Sequence, residues 1–136
     1  MRFDNKIAVA VRDDLPVWQK LNMTAFLASA IAAGRPATIG EPYADASGIG
    51  YAAMFRQPVM VLAGGHDALR QAFDQARARG LFLAVFTDEL FATGHDAANR
   101  AAVAAVATQA LRLAGFAVEG PRNQVDRALK GLTLHG

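Results

Sequence analysis

The stretch that most constrains this chain is Lys6-Ile7-Ala8-Val9-Ala10-Val11-Arg12, an uninterrupted apolar run with a charge at each end. A strand with one wet face alternates polar and apolar side chains, so an unbroken run of small and β-branched residues reads as a strand covered on both faces. It belongs at the centre of a sheet that carries a packed layer on each side. Pro58-Val59-Met60-Val61-Leu62-Ala63 and Leu81-Phe82-Leu83-Ala84-Val85-Phe86 repeat the pattern. Between them Leu69, Ala72, Phe73 and Ala76 recur at helical spacing, which predicts a helix over Asp67 to Arg79 with Gly80 as its stop. The passage reads as a right-handed βαβ unit.

The remaining elements follow from caps and breakers. Asp13-Asp14-Leu15-Pro16 offers an N-cap carboxylate and a proline for the first turn, so a helix is expected from here to about Ala33, closed by Gly34 and Pro36. Beyond Lys20 this helix has no charge until Arg35. Both its sides are therefore covered within the domain, or one packs against another subunit. Arg35 to Gln57, rich in Gly and Pro, reads as loop with a short strand or turn near Thr38-Ile39. A helix over Ala97 to Ala107, a strand over Leu111 to Glu119, a short helix after Pro121 and an edge strand at Leu132-Thr133-Leu134 complete the chain. The whole predicts an α/β fold, a three-layer α/β/α sandwich around a mainly parallel sheet, as a single domain over residues 1–136.

Composition narrows the chemistry. Without cysteine the chain has no disulfide, thiolate nucleophile or iron–sulfur site. With 53% hydrophobic and 19% charged residues it is built to fold rather than to stay disordered. The N-terminus does not read as a secretory signal, and the uncharged stretch from Leu21 to Gly34, 14 residues, is shorter than the roughly 20 needed to cross a bilayer. A cytoplasmic protein with no membrane span is the expectation. The 14 basic residues are dispersed and the net charge is +2, which permits an anionic ligand without marking a nucleic-acid groove.

Open α/β sheets bind ligands at the carboxyl ends of their strands. Two acidic loops fall there, Arg12-Asp13-Asp14 and Thr87-Asp88-Glu89. If their strands are neighbours, Asp14, Lys20, Asp88 and Thr93 face one cleft, where an acid beside a lysine positions water or a leaving group. Against this, Asp14 is explained as a helix cap and Asp88 as a turn former. Trp18 either walls a pocket or anchors a core or interface. Gly65-His66-Asp67-Ala68 and Gly94-His95-Asp96-Ala97 are near-copies that invite a metal site, but Asp as cap and Gly as turn account for both. Ser47-Gly48-Ile49-Gly50 lacks the preceding strand and third glycine of a dinucleotide loop, and neither Ser29 nor Ser47 lies in a nucleophile elbow. No metal or cofactor is expected.

Val11-Arg12-Asp13-Asp14-Leu15 resembles the opening Val-Arg-x-Asp-Leu motif of the type 2 peptidyl-tRNA hydrolases. Gln57 to Val61, Ala78-Arg79-Gly80-Leu81, Asp88, Gly120-Pro121 and Gly131-Leu132 are similar in the same order along nearly the whole chain. Arg12 to Asn22, His95-Asp96 with Asn99-Arg100, and Lys130-Gly131-Leu132 more closely resemble an uncharacterised bacterial family, a domain of unknown function that shares the hydrolase fold. The resemblance implies a mixed four-stranded sheet with helices on both faces, often as a homodimer. In the hydrolases a lysine in the first loop or helix, an aspartate after a later strand and nearby threonines cleave the ester. Asp88 matches that aspartate, Lys20 matches the lysine with a one-residue shift, and Thr93 falls one residue late. Pro16-Val17-Trp18-Gln19 replaces a glycine- and lysine-rich stretch, removing groups that would hold tRNA phosphates, and an alanine-rich insert follows His95.

The implied activity is hydrolysis of an ester or amide in a small or nucleotide-bearing substrate rather than in tRNA. Lys20, Asp88 and Thr93 are the catalytic candidates, and Arg12, Asp14, Trp18, Asn22 and His95 the substrate-binding ones. The alternative is a non-catalytic module on the same fold that binds a small ligand or pairs through its first helix.

Overall fold

The computed structural model describes residues 2–136. Strand β1 (Asn5–Arg12) leads into helix α1 (Val17–Gly34), a small hairpin β2 (Tyr43–Ala44) and β3 (Gly50–Tyr51), then β4 (Val59–Gly64) and α2 (His66–Ala78). Strand β5 (Phe82–Thr87), α3 (Asp96–Ala104), β6 (Leu113–Pro121), α4 (Arg122–Ala128) and β7 (Thr133–Leu134) follow. Five of the strands form one sheet in the order β5-β6-β1-β4-β7.

Alternation of side chains along β1 builds two cores. Ile7, Val9 and Val11 pack against Met23, Leu27 and Ile31 of α1. Ala8 and Ala10 face Leu69, Ala72, Phe73 and Ala76 of α2 and Val125 and Ala128 of α4. The layering read from the apolar runs is therefore present, with helices on both faces. Gly115 allows the α1 layer to sit close, because a Cβ there would lie 2.5 Å from the Ala10 carbonyl oxygen and 2.7 Å from the Met23 sulfur.

The sheet itself differs from the expectation in composition and direction. It has five strands where the resemblance implies four, because the edge strand expected at Leu132-Thr133-Leu134 forms as β7 and adds antiparallel to β4. It is mixed, as the resemblance implies, but not mainly parallel: β1 and β4 pair in parallel, while β6 runs antiparallel to both β1 and β5. Strands β4 and β5, expected as a βαβ unit, point the same way with β1 and β6 between them. An apolar run reports that both faces are covered but carries no sign of direction or order.

Local boundaries shift for identifiable reasons. Helix α1 starts at Val17 with Pro16 as N-cap and no side-chain cap, so Asp14 is not the cap; its carboxylate accepts from Arg12 instead. Helix α3 ends at Ala104 and a 3-10 turn follows at Thr108–Ala110. Near Thr38-Ile39 the chain makes a 3-10 turn, Pro36–Thr38, and Ile39 bridges to Phe55. The β2–β3 hairpin is organised by Asp45, which accepts from the Ser47 and Ile49 amides and the Tyr51 hydroxyl. Gly48 takes the left-handed turn position at φ 83°. Among the described residues no helix is long and apolar enough to cross a membrane.

Candidate functional site

The carboxyl ends of β1, β4 and β5 lie on one rim, because these strands share a direction. The β1–β4 register sets Arg12 opposite Gly64, and the Asp13 amide donates to the Gly64 carbonyl at 3.0 Å. The loop after β1 is thereby held against the start of α2. Across the sheet, the Asp88 amide donates to the Arg112 carbonyl at 2.9 Å, which fixes the turn after β5 against the entrance to β6.

Arg12 ties the rim together. It is buried, 7% exposed. Its Nε donates to Asp14 Oδ1 at 2.7 Å, and its Nη1 donates to Asp88 Oδ1 at 2.8 Å and to the Leu113 carbonyl at 2.7 Å. Burial disfavours its charge, yet hydrogen bonds to Asp14 and Asp88 and attraction by both carboxylates more than offset this and raise its pKa. The Arg12 hydrogen bond in turn holds the Asp14 carboxyl below its ordinary value.

Around this buried cation the polar groups face a cleft of about 300 Å³ lined by His66, Asp67, Arg70, Asp88, Arg112 and the apolar Leu111 and Leu113. His66 Nε2 lies 3.5 Å from Asp14 Oδ2 on the exposed side. Arg112 approaches Asp88 Oδ2 at 3.8 Å and Glu89 Oε1 at 3.9 Å, distances that leave its guanidinium unsaturated. The arrangement presents the Asp88 carboxylate, the His66 imidazole and the Arg112 guanidinium at one opening, with Asp14 behind His66. Those are the parts that water activation and charge stabilisation require.

The family comparison decides where this chain stands. A sequence profile described as protein of unknown function, DUF2000, matches residues 5–136. The chain is a DUF2000 protein. The fold is similar to that of a solved structure, a protein of unknown function, Atu0240, from Agrobacterium tumefaciens strain C58. The two are 44% identical with a TM-score of 0.96, over 99% of this chain and 100% of that one. No curated protein matches the sequence.

In this DUF2000 protein the residues singled out from the sequence fall into separate groups. Arg12, Asp14 and Asp88 come together as described. Lys20 does not join them: its Nζ lies 3.1 Å from His135 Nε2, after the edge strand β7. Thr93 follows the 3-10 turn Asp88–Phe91, where its hydroxyl donates to the Leu90 carbonyl at 3.0 Å and meets the Asn99 side chain. His95 caps α3 by accepting the Ala98 amide at Nδ1. Trp18, 59% exposed, sets its ring edge-on to Phe91 at 6.0 Å, joining α1 to the turn that carries Asp88. Asn22 is exposed on α1.

Sequence reasoning missed His66, Arg70 and Arg112 as members of the cleft. In the sequence His66 stands out as part of a turn-and-cap motif and as a candidate metal ligand, not as a partner of Asp14. Its approach to Asp14 depends on the parallel β1–β4 pairing, which no local pattern encodes. The two His-Asp copies start different helices, and among the described residues no three metal-ligating side chains converge.

Proposed function

We propose that this DUF2000 protein is a hydrolase of ester or amide bonds in a small or nucleotide-bearing substrate, acting in the cleft at the carboxyl rim of the sheet. The observation that carries the reading is the buried Arg12 holding both Asp88, which lines the cleft, and Asp14, which stands beside the cleft residue His66. In this scheme His66, oriented by Asp14, accepts a proton from water as that water attacks the substrate carbonyl. Asp88 aligns the water through the oxygen not taken by Arg12. Arg112 stabilises the negative charge that develops on the carbonyl oxygen, and the imidazolium returns the proton to the leaving group. The likeness of the Val11 to Leu15 motif and of Asp88 to the type 2 peptidyl-tRNA hydrolases favours the same reaction class. Lys20, engaged with His135, has no step in this scheme, and Thr93 shapes the turn behind Asp88.

The test is turnover of a panel of ester and amide substrates, a peptidyl-tRNA mimic included. Asp88→Asn and His66→Asn are expected to lose about a hundredfold or more in kcat/KM with the circular dichroism spectrum unchanged, while Lys20→Met retains activity. Wild-type protein that binds members of the panel without turning any over would refute the hydrolase reading.

A second reading has its own observation. Val17, Trp18, Leu21 and Phe26 on α1 are each more than half exposed, at 71%, 59%, 68% and 52%. The face carries no charge beyond Lys20 to oppose its own copy, so a two-fold contact between identical helices suits it. In that reading the protein is a homodimeric interaction module. Sedimentation of wild type as a dimer and of Leu21→Glu as a monomer would support it; a wild-type monomer at high concentration would dismiss it.

A further inference from the structure

A second opening lies away from the Asp88 cleft. It is a groove of about 670 Å³ between α2 and α4, walled by Gln71, Asp74, Gln75, Arg79, Arg127 and Lys130. Its size falls within the roughly 300–1,000 Å³ of ordinary ligand sites. The floor is short, with Ala72 and Ala128 buried at the helix contact, and long polar side chains form the walls.

The charges on those walls are unbalanced. Arg79, Arg127 and Lys130 are in no ion pair among the described residues. The one acid of the lining, Asp74, is engaged by Arg70 at 3.4 Å, and Asp126, next to Arg127 in sequence, is engaged by Lys6. Attraction to helix C-termini explains why cations stand near the ends of α2 and α4. It does not require three of them to face one concavity. Arg79 also donates to Gln124 Oε1 at 2.8 Å, which ties the end of α2 to α4 beside the groove.

We propose that this groove binds a small ligand bearing two or more negative charges on phosphoryl or carboxylate groups, held by Arg79, Arg127 and Lys130. Guanidinium groups bind such oxygens in pairs and an ammonium adds a compact charge, so the trio suits one multiply charged group. Gln71 and Gln75 supply amides for a polar part of the ligand, and the alanine floor accepts a flat or aliphatic body. The site stands independently of the hydrolase reading, since none of its cations lines the Asp88 cleft.

Calorimetric titration of the full chain with inorganic pyrophosphate and with citrate, at matched ionic strength, tests it. Saturable one-to-one binding is expected, pyrophosphate being preferred if phosphoryl oxygens are the ligand atoms and citrate if carboxylates are. Combined Arg127→Ala and Lys130→Ala should weaken it about tenfold or more, whereas Arg77→Ala, an exposed cation of α2 outside the groove, should not. Lys130→Glu, at an exposed position, gives the same reading if the double variant loses its fold. Failure of both probes to bind, or a loss that Arg77→Ala reproduces, would overturn the proposal.

Discussion

Arg12 of β1 reaches Asp88 beyond β5 even though β6 lies between those strands, with Nη1 2.8 Å from Oδ1. It manages this because the same nitrogen donates to the Leu113 carbonyl at the start of β6, at 2.7 Å. One buried cation thus ties the ends of three strands.

Removing one end of that tie should be costly. Uncompensating a fully buried charge typically costs about 3–5 kcal/mol. Here Asp14 still holds Nε, and the Asp88 side chain is 24% exposed, so Asp88→Ala is expected to cost about 1–3 kcal/mol. Arg12→Lys should not preserve stability, since a single ammonium cannot span the acceptors now met by Nε and Nη1. Urea denaturation measures both; a wild-type midpoint in either variant would contradict the tie.

Acid should weaken the Arg12–Asp14 pair. Arg12 holds this carboxyl below its ordinary value of 3.8. A group whose folded pKa is depressed contributes stability that is present above the unfolded pKa and lost as the pH falls through the folded one. The advantage of wild type over Asp14→Asn is therefore expected to be full at neutral pH and to shrink below about pH 4. Denaturation midpoints of the two proteins, compared from neutral to acid pH, test this. A gap that stays constant across the range counts against it.

The hairpin carries a second readable pair. Tyr51 donates to Asp45 Oδ2 at 2.8 Å, and the carboxylate raises the phenol pKa above its ordinary 10.0. Alkaline titration by ultraviolet absorbance, in a Tyr43→Phe background to isolate Tyr51, should show ionisation later than in Asp45→Asn. Coincident curves would mean that the pair does not persist in solution.

Gly115→Ala tests the close seat of α1. The new Cβ meets a backbone carbonyl as well as the Met23 side chain, so rotation of the methionine alone does not relieve it. A loss of about 1–3 kcal/mol is expected, measured by thermal or urea unfolding, against a small effect for the open position Gly131→Ala. Equal effects at both sites would remove the steric account.

Much of the architecture is legible in the chain itself. The apolar run around Val9 declares a strand buried on two sides, those around Val61 and Ala84 declare strands that the fold only half-buries, and Leu69, Ala72, Phe73 and Ala76 declare the inward face of α2. These signals are local, because burial repeats with the period of the element that carries it. The acidic residues that follow β1 and β5 are equally plain in the chain, and Asp14 and Asp88 do meet at Arg12.

What the sequence could not supply is who stands beside whom. The insertion of β6 between β1 and β5, the engagement of Lys20 with His135, the approach of His66 to Asp14 and the gathering of Arg79 with Arg127 all join residues far apart along the chain. Such neighbours are chosen by strand order, direction and helix packing, which depend on how complete faces fit together. Local pattern fixed the elements and their buried sides, while tertiary packing alone determined the membership of the cleft and the groove.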